Sequence, residues 1–332
     1  LNQSDSRTLI PLNLPTMKAI IRTAYGGPEV LQVAEVEKPE PGENEILVKV
    51  KANSANPADW HILRGEPKFA RLSFGLFKPK QKIIGADFAG VVEEVGSKVT
   101  SFKLGDRVYG ENLEGGAFAE HICVSPEICS AFSKDLLFSE MAAVPIAGLT
   151  ALQALVDQGQ TRSGESVLIN GASGGVGHFA VQIAKQLGAE AIGVCSEKSA
   201  DFVKSLGADR VLAYDAENIH EHEGSYDLVI DVHGNLNFKD FKRMGGRGVV
   251  IGFTGMGHMV SVLSASALSK FSLKQFTAKP NTKDLQTLAV WMKERKIRVH
   301  IDRSYTWRDI PEAIAYIEKM HTKGKVVMEW GE

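Results

Sequence analysis

Eight consecutive residues, Asn170-Gly-Ala-Ser-Gly-Gly-Val-Gly177, are the part of this chain best suited to hold a reactive cofactor. Gly171, Gly174 and Gly177 recur at every third position, a spacing that lets the backbone turn tightly and approach a pyrophosphate. An apolar run, Ser166-Val-Leu-Ile-Asn170, leads into the turn. From His178 to Leu187, Ala180, Ile183, Ala184 and Leu187 share one helical face. Strand, glycine turn and helix in that order are the context the motif requires, because the helix N-terminus supplies free amides and partial positive charge to a phosphate. Gly171, Ser173, Gly174, Gly175, Val176 and Gly177 are therefore candidate cofactor contacts.

The next strand, Ala191-Ile-Gly-Val-Cys195, bears on which dinucleotide binds. An NAD site places a carboxylate at its end to accept hydrogen bonds from the ribose hydroxyls. Here Ser196 and Lys198 follow, with Glu197 one residue past the usual position. Those two side chains suit a 2′-phosphate that a carboxylate would repel, so the expected cofactor is NADPH. Val232-His233-Gly234 and Ile251-Gly-Phe253 follow later apolar strands, at the carboxyl edge of the sheet. Val232 and Phe253 are expected there as backbone contacts. Met256, His258 and Met259 either shape an apolar pocket or line a loop.

These residues need a scaffold, and the rhythm of the chain supplies two. Up to about Ser133, short β-rich runs such as Ile46–Val50, Gly90–Val95 and Asp106–Tyr109 are split by Gly and Pro, as in an antiparallel barrel-like domain. From about Gly164, strands at Ser166–Asn170, Ala191–Cys195, Val211–Ala213, Asp227–Asp231 and Gly248–Gly252 alternate with helices. That pattern builds an α/β, doubly wound parallel sheet of the Rossmann kind. A helix over Lys283–Arg295, a strand over Ile297–Ile301, a helix over Ile310–Met320 and a strand over Lys325–Trp330 are expected to close the chain. The expected divisions are a tail at 1–16, a first domain at 17–140, the cofactor domain at 141–277 and a return segment at 278–332.

Composition excludes several function classes. The chain has 332 residues, 44% of them hydrophobic, and a formal charge of −2, with no basic block or acidic tail pointing to nucleic acid or an anionic membrane. Met141–Val156, the most apolar long stretch, is interrupted by Pro145, Gly148, Thr150 and Gln153 and reads as core helix with a linker, not a membrane span. Cys123, Cys129 and Cys195 form no CxxC pair, which suits reduced thiols and a cytoplasmic location.

In this order, Asn56-Pro-Ala-Asp59, Gly85–Gly96, Gly105-Asp-Arg-Val108, Gly115–Glu120, Ala147-Gly-Leu-Thr150 and the glycine turn make the chain resemble a medium-chain dehydrogenase/reductase from Met17 onward. The resemblance is to the zinc-free, quinone oxidoreductase-like subgroup, including plastid-envelope homologues and alkenal reductases. It implies that the N-terminal β domain is a GroES-like catalytic domain which the C-terminal segment completes. Asn56 and Thr150 would lie beside the nicotinamide, and Asp59 near the cleft, although Asn56 also suits a turn and Asp59 a helix N-terminus. His61 stands where relatives carry Tyr or Lys and could hydrogen-bond a developing enolate, or could simply be a partly exposed histidine. Tyr214 matches a tyrosine packed near the 2′-phosphate, or anchors the sheet edge as a buried side chain.

Zinc-dependent relatives carry Gly-His-Glu where this chain has Gly85-Ala86-Asp87, and Ala86 offers no ligand atom. No metal site is expected. Without a Lewis acid, hydride donation to an already electrophilic partner is the easier chemistry. The expected function is NADPH-dependent reduction of a small electrophile, a quinone, enal or enone. The alternatives are an enoyl-thioester reductase and a non-catalytic NADPH-binding protein of structural or regulatory role. Ser272–Thr277 alternates as an open edge strand would and predicts a homodimer.

Overall fold

A computed structural model describes residues 15–331, so the expectation of an N-terminal tail falls almost wholly outside the described residues. Along the chain the strands are β1 (Thr16–Arg22), β2 (Leu31–Glu37), β3 (Ile46–Ala55), β4 (Asp87–Val95), β5 (Arg107–Glu111), β6 (His121–Val124) and β7 (Cys129–Ala131). They are followed by β8 (Ser166–Asn170), β9 (Glu190–Cys195), β10 (Arg210–Ala213), β11 (Tyr226–Asp231), β12 (Gly245–Val250) and β13 (Leu273–Gln275). The chain closes with β14 (Ile301–Thr306) and β15 (Lys325–Glu329).

The middle strands form one parallel sheet, ordered β10-β9-β8-β11-β12-β13, with β8 at the point where the order reverses. Val167, Leu168 and Ile169 of β8 are all fully buried, because helices cover both faces of such a sheet. The barrel-side sheet runs β14-β15-β3-β4-β5-β7, with β6 on β3. β15 pairs antiparallel with β3, Val327 opposite Ser54, so the end of the chain returns to the first domain. Ile46, Val48, Phe88, Val108 and Phe118 fill that domain's core. Met141, Leu149, Phe179, Ile183 and Leu288 belong to a second core that joins the two domains. The fold is the α/β architecture expected, a Rossmann-type sheet beside a GroES-like β domain.

Two expectations shift. Residues 297–300 are not a strand, and pairing begins only at Ile301. Ile297 is buried in the core, while the Arg298 amide and carbonyl are both taken by the Gln182 side chain. With its backbone satisfied by a helix side chain, this stretch needs no neighbouring strand. The polar run Asp302-Arg-Ser304 conceals the actual strand. Met256–Ala267 is a helix and not a loop. The apolar stretch from Met141 is core helix as expected, a short helix at Phe138–Ala142 followed by helix Pro145–Gln153.

Candidate active site

Helix Pro57–Arg64 starts where β3 ends, and its cap explains its place. The Asn56 amide donates to Asp59 Oδ2 at 2.7 Å, closing the first turn, and Pro57 occupies the first helical position, where no amide is needed. Asp59 and His61 then face a cleft of about 1110 Å³ between the β domain and the carboxyl edge of the parallel sheet. Phe69 and Phe74 belong to the same wall as His61, and Phe253, Met256 and Met259 enter from the other domain. His258 leaves the cleft, its Nε2 lying 3.1 Å from the Leu236 carbonyl oxygen.

Asp59 is buried, and burial pushes its pKa up to about 7. The Asn56 amide opposes that rise, the Asp87 carboxylate adds to it, and the Lys325 ammonium opposes it. His61 stacks on Trp60 at 3.6 Å between ring centroids. His61 is exposed, but partial burial of its ring still lowers its pKa against the opposing charges of Glu66 and Glu318. That direction favours the uncharged imidazole.

Asn56 is placed differently from the expectation. Its side chain is buried and does not line the cleft, and both ends of its amide are occupied. Nδ2 donates to Asp87 Oδ2 at 2.8 Å, and Oδ1 accepts from Lys325 Nζ. Asn56 is thus the N-terminal cap of the helix and one member of a buried polar cluster. Asp87 Oδ2 also accepts from Ser54 Oγ at 2.6 Å and Lys325 Nζ at 3.4 Å, and its Oδ1 accepts from the Ile146 amide at 3.0 Å. That last bond ties the cluster to helix Pro145–Gln153, one turn before the buried Thr150. Glu111, paired with Asp87 across β4 and β5, is buried with Oε2 unpartnered. Burial and the Asp87 charge push its pKa up to about 8, against the pull of Lys325.

The glycine turn lies on the other side of this cluster. Helix Gly175–Gln186 begins inside it, with Gly174 as its cap residue. Gly171 adopts φ +89°, and a Cβ on Gly177 would sit 2.1 Å from the Gly171 carbonyl oxygen. Gly174, by contrast, has open space, its nearest neighbour being the same oxygen at 3.5 Å. This is a cradle that side chains would fill, and it fits a dinucleotide pyrophosphate. Ser173 and Val176 are half-buried beside it. The return segment closes against the turn: the Gly324 amide donates to the Ser173 carbonyl at 2.9 Å, and the Lys325 chain packs by Gly175. His178, buried behind the turn, has its pKa pushed down to about 3 by desolvation and stays neutral.

At the end of β9, Ser196 is buried with its Oγ 3.2 Å from Ser199 Oγ, while Lys198 is exposed. Tyr214 is exposed, so it is not a buried sheet anchor. Two groups escaped the sequence reading. Asp215 Oδ1 accepts from the Glu197 amide, placing a carboxylate nearby, and Lys323 Nζ donates to the Lys198 carbonyl at 3.0 Å. The second cation arrives from the far end of the chain. Val232 is half-buried after β11, and Phe253 follows β12 into the cleft. Among the described residues no three His, Cys, Asp or Glu side chains converge as a metal-ligand set.

Comparison with known proteins matches two family models, an alcohol dehydrogenase GroES-like domain over residues 42–152 and a zinc-binding dehydrogenase over 206–328. The chain is 33% identical to the chloroplast envelope quinone oxidoreductase homologue of Arabidopsis thaliana, over 94% of this chain and 98% of that protein. It is 31% identical to the NADPH-dependent alkenal/one oxidoreductase of the same plant, over 94% of this chain and 79% of that one. The structure of the quinone oxidoreductase from Coxiella burnetii is similar with a TM-score of 0.86 at 31% identity, covering 96% of this chain and all of that one.

Proposed function

The chain belongs to the medium-chain dehydrogenase/reductase family, among its quinone oxidoreductases, and from that premise we propose that it is an NADPH-dependent reductase of quinones or α,β-unsaturated carbonyls that works without zinc. The observation that carries this reading is Asp59, a carboxyl that burial keeps partly protonated near neutral pH on the wall of a cleft lined with apolar side chains.

Each part of the chain then has a task. The Gly174–Gly177 backbone and the start of its helix would hold the pyrophosphate. Ser196, Lys198 and Tyr214 meet the 2′-phosphate, with Lys323 adding charge across the domain boundary. When bound, the dihydronicotinamide would supply the hydride. Phe253, Met256 and Met259 exclude water from the reacting end. Asp59, whose Oδ2 is taken by the Asn56 amide, offers a proton from Oδ1 to the substrate oxygen or carbon. His61 in its uncharged form can donate a hydrogen bond from its ring N–H to the same oxygen. Asn56, Asp87 and Lys325 position the helix that carries both. Asp87 stands where zinc-dependent relatives have their glutamate, and here it is committed to the Lys325 ammonium. At the sheet edge β13 is the last strand, where two copies would pair as a homodimer.

The test is NADPH and NADH oxidation by the purified chain with quinones, enals, enones and enoyl thioesters, before and after chelation. NADPH-dependent turnover of quinones or enones that survives chelation is expected. Preference for NADH, or loss of activity with the chelator, would overturn the cofactor or zinc assignment. Turnover of thioesters alone would favour an enoyl-thioester reductase, and no turnover a non-catalytic role.

A further inference from the structure

Between helix Pro57–Arg64 and β4 the chain makes a rim over the cleft, residues 66–82, with short helical turns at Lys68–Ala70 and Arg71–Phe74. Phe69 and Phe74 line the cleft, Phe69 still 55% exposed, while Leu72, Leu76 and Phe77 lie outside it, 73%, 54% and 89% exposed. A phenylalanine nearly nine-tenths exposed is a large apolar surface left in water.

The rim is held in this arrangement. Tyr25 Oη donates to the Gly75 carbonyl at 2.7 Å, and the Arg71 guanidinium lies 4.4 Å from the Tyr25 ring centroid. Arg71 also donates to the Arg64 and Gly65 carbonyls at 2.9 and 3.0 Å. Gly75, at φ +114°, makes the bend that turns Leu76 and Phe77 outward. Lys68, Lys78, Lys80 and Lys82 are exposed along the segment, Lys68 and Lys80 at the cleft, with Glu66 the one carboxylate of the segment. Four lysines against one acid are concentrated here on a chain whose formal charge is −2, a local excess that the whole-chain composition, which gave no sign of an anionic membrane, conceals.

We infer that residues 66–82 dock on an anionic lipid surface, with Leu72, Leu76 and Phe77 entering the interface and the lysines meeting lipid phosphates. Protruding apolar side chains ringed by cations suit a fluid, negatively charged interface. A second copy of this chain is a poorer occupant. Three side chains cover far less than the roughly 800 Å² per partner of a stable protein interface. Phe69 and Phe74 of the same segment line the cleft, so a docked molecule would take a lipophilic electrophile directly from the bilayer. That last step rests on the proposed function; the docking does not.

Flotation of the full chain with phosphatidylcholine vesicles, with and without phosphatidylserine, tests the docking in the absence of cofactor and substrate. Binding to the anionic vesicles alone, weakened by salt, is expected. Leu72→Glu with Phe77→Glu, and separately Lys78→Glu, should each lower partitioning roughly tenfold. Unchanged thermal melting of these variants confirms folding whether or not the chain proves to be a reductase. Failure of the parent to bind anionic vesicles, or equal binding by folded variants, overturns the proposal. So does a parent that binds no vesicles while the Phe77→Glu change dissociates a dimer in light scattering, because the surface would then meet a second copy. If docking holds but turnover of a lipophilic quinone is no faster in anionic vesicles than in neutral ones, direct uptake from the bilayer is overturned.

Discussion

The glycine turn and the polar cluster beside it are neighbours in space and opposites in construction. The turn is eight consecutive residues whose shape is set by backbone sterics, with no room for a side chain at Gly177. The cluster joins Asn56, Asp87, Glu111 and Lys325 from four strand ends, and depends on charges that only a completed fold brings together. A site built from local backbone tolerates changes elsewhere and fails through a single Cβ. A site built from buried charge fails when any one partner is removed, because the others cannot return to water.

The largest effect should come from the cluster. Lys325→Met leaves the Asp87 carboxylate and the Asn56 amide oxygen buried without their cation, and should cost about 3–5 kcal/mol in denaturant unfolding. Adding Asp87→Asn should recover part of that loss. A single variant as stable as the parent would mean that the cluster is not the electrostatic unit described.

Next is the turn. Gly177→Ala drives a methyl group against the Gly171 carbonyl oxygen and the Ala172 Cα, both backbone, and should weaken NADPH binding by about 10²-fold or more in fluorescence titration, roughly 3 kcal/mol. Gly174→Ala meets no such contact and should bind far better. Equal affinities for the two variants would remove the steric basis of the comparison.

A third test sharpens the boundary between the regions. Asp59→Asn should lower kcat for an enone by about 10²-fold while sparing quinones, whose reduced oxygens take protons from water. The same change should alter stability with pH. A carboxyl whose folded pKa is about 7 against an ordinary 3.8 favours folding fully at low pH and loses that contribution as pH rises toward and through 7. Thermal melting should therefore show the Asp59→Asn variant gaining on the parent between about pH 4 and pH 8, by up to about 2–4 kcal/mol. A pH-independent difference would mean that Asp59 is ionised throughout.

The turn was legible because everything it needs lies within one strand, one loop and one helix. The same holds for the helices Gly175–Gln186 and Thr282–Lys293, whose apolar spacing marks them. The cluster was half legible. Asn56 and Asp59 stood out by resemblance, but nothing local showed that both ends of the Asn56 amide would be occupied. Lys325 left only a faint trace, a lysine opening an otherwise apolar strand. Glu111 left none, since a glutamate beside glycine reads as surface until a sheet forms over it.

By itself the sequence determined the order of elements, the family and the shape of the phosphate cradle, because periodicity and glycine sterics act between residues close along the chain. Only the tertiary structure decided which charges share a buried volume and which apolar side chains stay in water. Lys325 meets Asn56 because the last strand returns to pair with β3, and Phe77 is exposed because Gly75, Arg71 and Tyr25 turn the rim outward. Desolvation depends on every atom packed around a group. That environment is assembled from distant parts of the chain, so no stretch of sequence holds it alone.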